Sequence, residues 1–158
     1  MENTDLKKIK SFTINHQILK KGLYISRIDG DCVTYDLRMV TPNTGLFLEY
    51  DAIHTIEHLF ATYVRSGEHA DDIVYFGPMG CRTGFYLIVR DRMSHQQVLD
   101  LVRETLAFIN DFYGKIPGAD PFECGNFREH NLLGAINKCT DYAEALKDWT
   151  VEKMNYPA

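Results

Sequence analysis

The segment His54-Thr55-Ile56-Glu57-His58 places two imidazoles four residues apart, with a carboxylate next to the second. At ~100° per residue, such a spacing puts both rings on one face of a helix, where two neutral imidazoles can grip a single divalent ion. Glu57 sits beside that face and can move protons without being a ligand. The pattern is H-x-x-E-H, and its chemistry is Lewis-acid catalysis with a proton carrier alongside. A catalytic ion needs a third protein ligand and an open position. Cys124, in Pro121-Phe122-Glu123-Cys124-Gly125-Asn126, is the best candidate, because Gly125 frees the backbone and lets a thiolate approach the helix. Glu123 and His130 are neighbours that can take its place. Imidazole and thiolate together suit zinc or ferrous iron, and ligand type alone does not choose between them.

A second reactive group is Cys81, in the loop Gly77-Pro78-Met79-Gly80-Cys81-Arg82-Thr83-Gly84. Backbone amides of a glycine-rich turn and the adjacent Arg82 can favour a thiolate there. Cys32, in a predicted strand, and Cys139, in a predicted helix, read as inert thiols, the commoner fate of an isolated cysteine. His69 and His95 stand among polar residues and read as surface positions.

The elements that must hold these groups follow from periodicity. Ile56, Leu59, Phe60, Tyr63 and Val64 form a helical apolar stripe within a helix predicted over Ile53 to Arg65, which leaves the opposite face to His54, Glu57 and His58. Leu23 to Ile28 and Cys32 to Val40 flank Asp29-Gly30-Asp31 as an antiparallel hairpin. Ile73 to Phe76 and Phe85 to Arg90 read as two further strands joined by the Cys81 loop. Ser94 and Gln97 form a capping box for a helix to about Tyr113. Gly114 to Gly125 is a long loop, and a third helix covers Leu132 to about Trp149 with Leu133 on its apolar face. Strands paired around a helix predict an α+β fold, an antiparallel four-stranded sheet packed with helices, in one domain over 1–158.

A net charge of −5 gives no broad cationic footprint, which argues against nucleic acid or an anionic membrane as partner. The start Met1-Glu2-Asn3-Thr4-Asp5 lacks the basic-then-apolar order of a secretory signal, and no apolar run is long enough to span a membrane, so the expected location is cytoplasmic.

The blocks His54-Thr-Ile-Glu-His58-Leu, Gly77-Pro-Met-Gly-Cys81-Arg-Thr-Gly84 and Glu123-Cys124-Gly-Asn resemble the LuxS family of S-ribosylhomocysteine lyases. Ser11-Phe12 with His16, and Tyr35-Asp36-Leu37-Arg38 followed by Pro42-Asn43, match the same family in the same order along nearly the whole chain. The resemblance implies cleavage of the thioether of S-ribosylhomocysteine, without redox change, to homocysteine and dihydroxypentanedione, the precursor of a furanone quorum-sensing signal. It implies metal ligands at His54, His58 and Cys124, an acid and base pair at Glu57 and Cys81, and substrate contacts at Ser11, His16 and Arg38. One divalent ion per subunit is expected, ferrous iron foremost with zinc as substitute. A homodimer with active sites at its interface is expected too, and a fold similar to one domain of the H-x-x-E-H metallopeptidases. One departure stands out: Tyr75-Phe76-Gly77 occupies the place where many relatives carry an Asp-Ile-Ser type sequence, so contacts to the homocysteine end do not transfer.

The chemistry agrees with these residue types. Breaking this bond without a redox cofactor requires a carbonyl to be walked along the sugar until elimination is possible, and each step moves a proton between carbons. Two proton carriers on separate elements can address different carbons, Cys81 in the isomerisations and Glu57 in the later transfers and the elimination. Arg38 can hold ribose oxygens and favour the Cys81 thiolate; without the family it would read as one half of a surface salt bridge. Two rival functions share the same motif: a metallopeptidase, in which Glu57 activates water, and a non-catalytic metal-binding module that the ion merely fastens.

Overall fold

The computed structural model describes residues 6–158. Strands β1 (Gly22–Asp29) and β2 (Cys32–Arg38) pair through the turn that Gly30 makes at φ +59°, a left-handed conformation in which glycine carries no steric penalty. With β3 (Ile73–Pro78) and β4 (Gly84–Arg90) they build one sheet in the order β1-β2-β4-β3, antiparallel throughout. Strand alternation sorts the two faces. Val33, Tyr35 and Leu37 lie across from Val89, Leu87 and Phe85, all buried, and join one hydrophobic cluster with the helices. On the opposite face Tyr24, Asp36 and Tyr86 stand side by side in register on β1, β2 and β4.

Three helices, α1 (Tyr50–Val64), α2 (His95–Asp111) and α3 (Leu132–Ala145), supply most of the rest of that cluster. Helix α1 buries Ile56, Leu59, Phe60 and Val64, the stripe that periodicity selects. It starts three residues earlier than its apolar pattern, because Ile53 N–H already bonds the Glu49 carbonyl and Asp51 complements the positive helix start. Helix α2 opens on the expected capping box, with Ser94 Oγ accepting from Gln97 N and Gln97 Oε1 accepting from Ser94 N.

Four local expectations are corrected. Strand β2 stops at Arg38, two residues short of Val40, because Met39 N–H and Val40 N–H both turn to the Thr83 carbonyl of the Cys81 loop. Helix α3 stops at Ala145 rather than Trp149. Arg103 of α2 takes the Leu146 and Trp149 carbonyls at 2.8 and 2.7 Å, and Trp149 donates its indole N–H to the Leu23 carbonyl. Leu133 is 70% exposed, and the inner stripe of α3 is instead Ala135, Cys139 and Tyr142. His95 and His69 are half-buried rather than on the surface, and His95 Nδ1 meets the Tyr35 hydroxyl at 2.6 Å. Cys139 behaves as expected, fully buried, with its thiol pushed up to about 12 by that burial.

Candidate active site

Helix α1 brings His54 and His58 together with their rings edge to face, centroids 4.7 Å apart. Each ring is oriented from behind. His54 Nδ1 lies 2.8 Å from the Glu129 carbonyl oxygen and His58 Nδ1 lies 2.8 Å from that of Pro117. A carbonyl only accepts, so both Nδ1 atoms carry the proton and both Nε2 lone pairs are free to ligate. Those Nε2 atoms converge on Cys124 Sγ, at 3.4 Å from His54 and 3.9 Å from His58.

The loop between α2 and α3 delivers Cys124 by local chemistry. Asp120 Oδ1 accepts from Phe122 N and Glu123 N at 2.9 and 3.1 Å, and its carbonyl accepts from Cys124 N, which closes a tight Asx turn. Gly118, at φ +72°, passes so close to His58 that an added Cβ would sit 3.1 Å from Nδ1. At the far end of the loop, the fully buried Thr55 Oγ1 accepts from Asn131 N at 2.8 Å and meets His130 Nδ1 at 3.0 Å. Asn131 then caps α3 by accepting from Gly134 N.

Of the two alternatives to Cys124 in the sequence, His130 joins the cluster and Glu123 does not: donor atoms of His54, His58, Cys124 and His130 all lie within 4.8 Å of one another. The His130 ring stacks on His54 with centroids 4.0 Å apart, and its Nε2 is buried without a hydrogen-bond partner. Burial, reinforced by the neighbouring His54 and His58, pushes its pKa down to about 4, so it is neutral at pH 7. Converging lone pairs, a thiol and an orphaned buried imidazole nitrogen fit a single divalent ion. Glu57, half-buried, follows one turn after the start of this face.

A second group forms where β2 meets the Cys81 loop. Arg38, 2% exposed, is no surface salt bridge: Nε and Nη2 grip the Asp36 carboxylate at 3.1 and 2.6 Å, and Asp36 is itself fully buried. Burial opposes the guanidinium charge, but the charge and hydrogen bonds of Asp36, with smaller help from Cys81 and Tyr156, together outweigh it, so the Arg38 pKa is raised. Its Nη1 donates to Thr83 Oγ1 at 2.9 Å and reaches Cys81 Sγ at 3.8 Å. The cation beside the thiol is therefore Arg38. The sequence neighbour Arg82 turns away, its guanidinium over the rings of Phe47 and Tyr50 at 4.1 and 4.3 Å. That turn holds Arg82 at φ +61°, a left-handed conformation costly for any residue with a Cβ. His16 lines a cleft of about 450 Å3 with Pro42, Asn43, Leu46, Cys81 and Thr83. Ser11 lies in a short 3-10 turn, Lys10–Thr13, and does not line that cleft.

The family model for S-ribosylhomocysteinase (LuxS) matches residues 9–153. The chain belongs to the LuxS family. Its similar relatives include the S-ribosylhomocysteine lyases of Clostridium acetobutylicum, Borreliella afzelii and Phocaeicola vulgatus. They are 44%, 45% and 44% identical, over 96% of this chain and 99%, 100% and 98% of theirs. Both groups of side chains lie inside the matched segment of this LuxS chain. Two partners escaped the sequence reading. Thr55 stands inside the H-x-x-E-H motif as an unremarked x, and Asp36 was seen only as part of a matching block; the one available signal was a carboxylate two residues from an arginine on a strand, hence on the same face.

Proposed function

We propose that this protein is a carbon–sulfur lyase that cleaves the thioether of S-ribosylhomocysteine to homocysteine and dihydroxypentanedione, in keeping with its family. The observation that carries the proposal is the convergence of two carbonyl-anchored histidines on Cys124, in a chain aligned over 96% of its length with a named lyase. His54, His58 and Cys124 hold one divalent ion, ferrous iron with zinc as substitute. When bound, that ion supplies Lewis acidity to oxygens of the sugar.

The side chains do the rest. The Cys81 thiolate, beside the Arg38 guanidinium, removes a proton from one sugar carbon and returns it to the next, so the carbonyl moves along the chain. Glu57 takes the proton next to the migrated carbonyl as the C–S bond breaks and the homocysteine sulfur leaves with the bonding pair. Arg38 and His16 orient the ribose from the Cys81 cleft, and Ser11 contacts the substrate from its 3-10 turn outside the lining of that cleft. The solitary H-x-x-E-H helix on an antiparallel sheet supports a likeness to one domain of the metallopeptidases, and the whole chain acts as one domain.

A homodimer with its active sites at the interface is part of this proposal. Its support is the apolar rim beside both groups, Leu46, Phe47 and Tyr50 at 68%, 42% and 63% exposed, which a second copy can cover. Location in the cytoplasm is supported by four cysteines that are all free thiols. Among the described residues no helix is long and apolar enough to cross a membrane.

The test is homocysteine release, measured by chromatography, from S-ribosylhomocysteine and metal-loaded protein. Cys124→Ala is expected to lose the ion. Cys81→Ala and Glu57→Gln are expected to keep ion and fold and to lose turnover by about a hundredfold to ten-thousandfold. Full activity in either of the last two removes that residue from the mechanism. Peptide cleavage without homocysteine release points to the peptidase instead.

A further inference from the structure

The Asp36–Arg38 pair has a third member that comes from outside the segment matched by the family model. Tyr156, three residues beyond the last matched residue, donates its hydroxyl to Asp36 Oδ2 at 2.7 Å. The buried carboxylate thus accepts from Arg38 Nε, Arg38 Nη2 and Tyr156 Oη, leaving little of its lone-pair capacity unmet. The tail that carries Tyr156 is anchored. Met154 is fully buried, the Tyr156 ring stacks on Tyr24 with centroids 5.2 Å apart, and Tyr24 meets the edge of Trp149, whose indole bonds the Leu23 carbonyl.

We propose that Tyr156 is a positioning residue for the Cys81 thiol, acting from the C-terminal tail through Asp36 and Arg38; this rests on the role given to Cys81 above. The phenol is a neutral donor that shares Asp36 Oδ2 with Arg38 Nη2 and so draws on the same carboxylate charge. It leaves Arg38 free to keep Nη1 on Thr83 and Cys81 instead of collapsing onto the carboxylate. Burial, aided by the Asp36 charge, raises the Tyr156 pKa, so the hydroxyl stays a donor at any pH the enzyme meets. The groups facing the thiol are Arg38 from β2, with Asp36 behind it, Tyr86 from β4, Thr83 in the loop and His16 across the cleft. Removing the phenol donor strengthens the negative field of Asp36 at Arg38 and weakens the positive one at the sulfur.

The test uses metal-loaded protein, iodoacetamide at pH 7, and peptide mapping of each cysteine. Tyr156→Phe keeps the ring and its stack on Tyr24 and deletes only the hydroxyl. Cys81 is expected to react about threefold to tenfold more slowly, because the Arg38 guanidinium no longer stands as firmly beside its sulfur. Cys32, on the far hairpin end, reacts at its unchanged rate, and metal content is unchanged; a merely structural role for the tail would slow neither cysteine selectively. An unchanged or faster Cys81 rate overturns the proposal. If the variant does not fold, a ring-fluorinated tyrosine at position 156, a stronger donor, must speed Cys81 modification, and equal rates overturn the proposal equally. Because alkylation is read without substrate, this outcome is separate from the fate of Cys81 in turnover: an active Cys81→Ala variant would remove the catalytic role and leave the alkylation result standing.

Discussion

Thr55→Val tests whether the metal cluster is held by its supporting hydrogen bonds or by its ligands alone. Valine reproduces the branched shape of threonine, so the fully buried site keeps its volume and gains no cavity. What disappears is one oxygen that serves two partners, Asn131 N–H at 2.8 Å and His130 Nδ1 at 3.0 Å. Leaving a buried polar group unpaired costs about 1–3 kcal/mol. Asn131 and His130 are half-buried, and water can meet part of the need, so the lower half of the range applies to each and the pair loses about 2–4 kcal/mol. Urea unfolding of metal-free protein at pH 7.5 measures that loss. The same substitution frees the end of the loop that carries Cys124, and competition against a fluorescent zinc chelator should show affinity weakened about tenfold to a hundredfold. Stability within about 0.5 kcal/mol of the unmodified chain, together with unchanged affinity, would refute the claim that Thr55 ties the loop to α1.

Gly118→Ala forces a left-handed φ of +72° on a residue with a Cβ and presses that carbon to 3.1 Å from His58 Nδ1. The expected cost is about 1–2 kcal/mol in thermal unfolding, with weaker metal binding because His58 must turn. His130 makes metal-free protein acid-sensitive. Its pKa falls from 6.5 when unfolded to about 4 when folded, so the unfolded chain binds the proton more tightly. Stability is therefore greatest above pH 6.5 and is lost as pH falls through 4, by about 2 kcal/mol after allowing for its partial exposure. Urea titrations at pH 7 and pH 4.5 should show this slope, and His130→Gln should flatten it.

The elements whose burial follows a simple period were legible in advance. The α1 stripe, the hairpin and the capped start of α2 each repeat a local rule that does not depend on the rest of the chain. Legibility failed where a distant group intervened. Nothing near Leu146 announces that Arg103, 43 residues away, takes its carbonyl and ends α3. Nothing near Arg82 announces that Phe47 and Tyr50 draw its guanidinium from Cys81, or that Arg38, 43 residues away, supplies the cation in its place. That His54, His58 and Cys124 come together was legible from residue types and family blocks, while the membership of His130 in their cluster was left open, because type and proximity in sequence serve Glu123 equally well.

By itself the sequence determined which atoms were available: two imidazoles one helical turn apart, a cysteine in a flexible loop, a second cysteine in another, and an arginine on a strand. These are facts of residue type and short-range geometry, and a helix has the same geometry wherever it packs. Only the tertiary structure decided which nitrogen of each histidine is free, which loop residue reaches the helix, and which cation stands beside Cys81. Those choices depend on carbonyls and side chains brought from 43 to 75 residues away, and a buried polar group takes whichever partner packing leaves within reach.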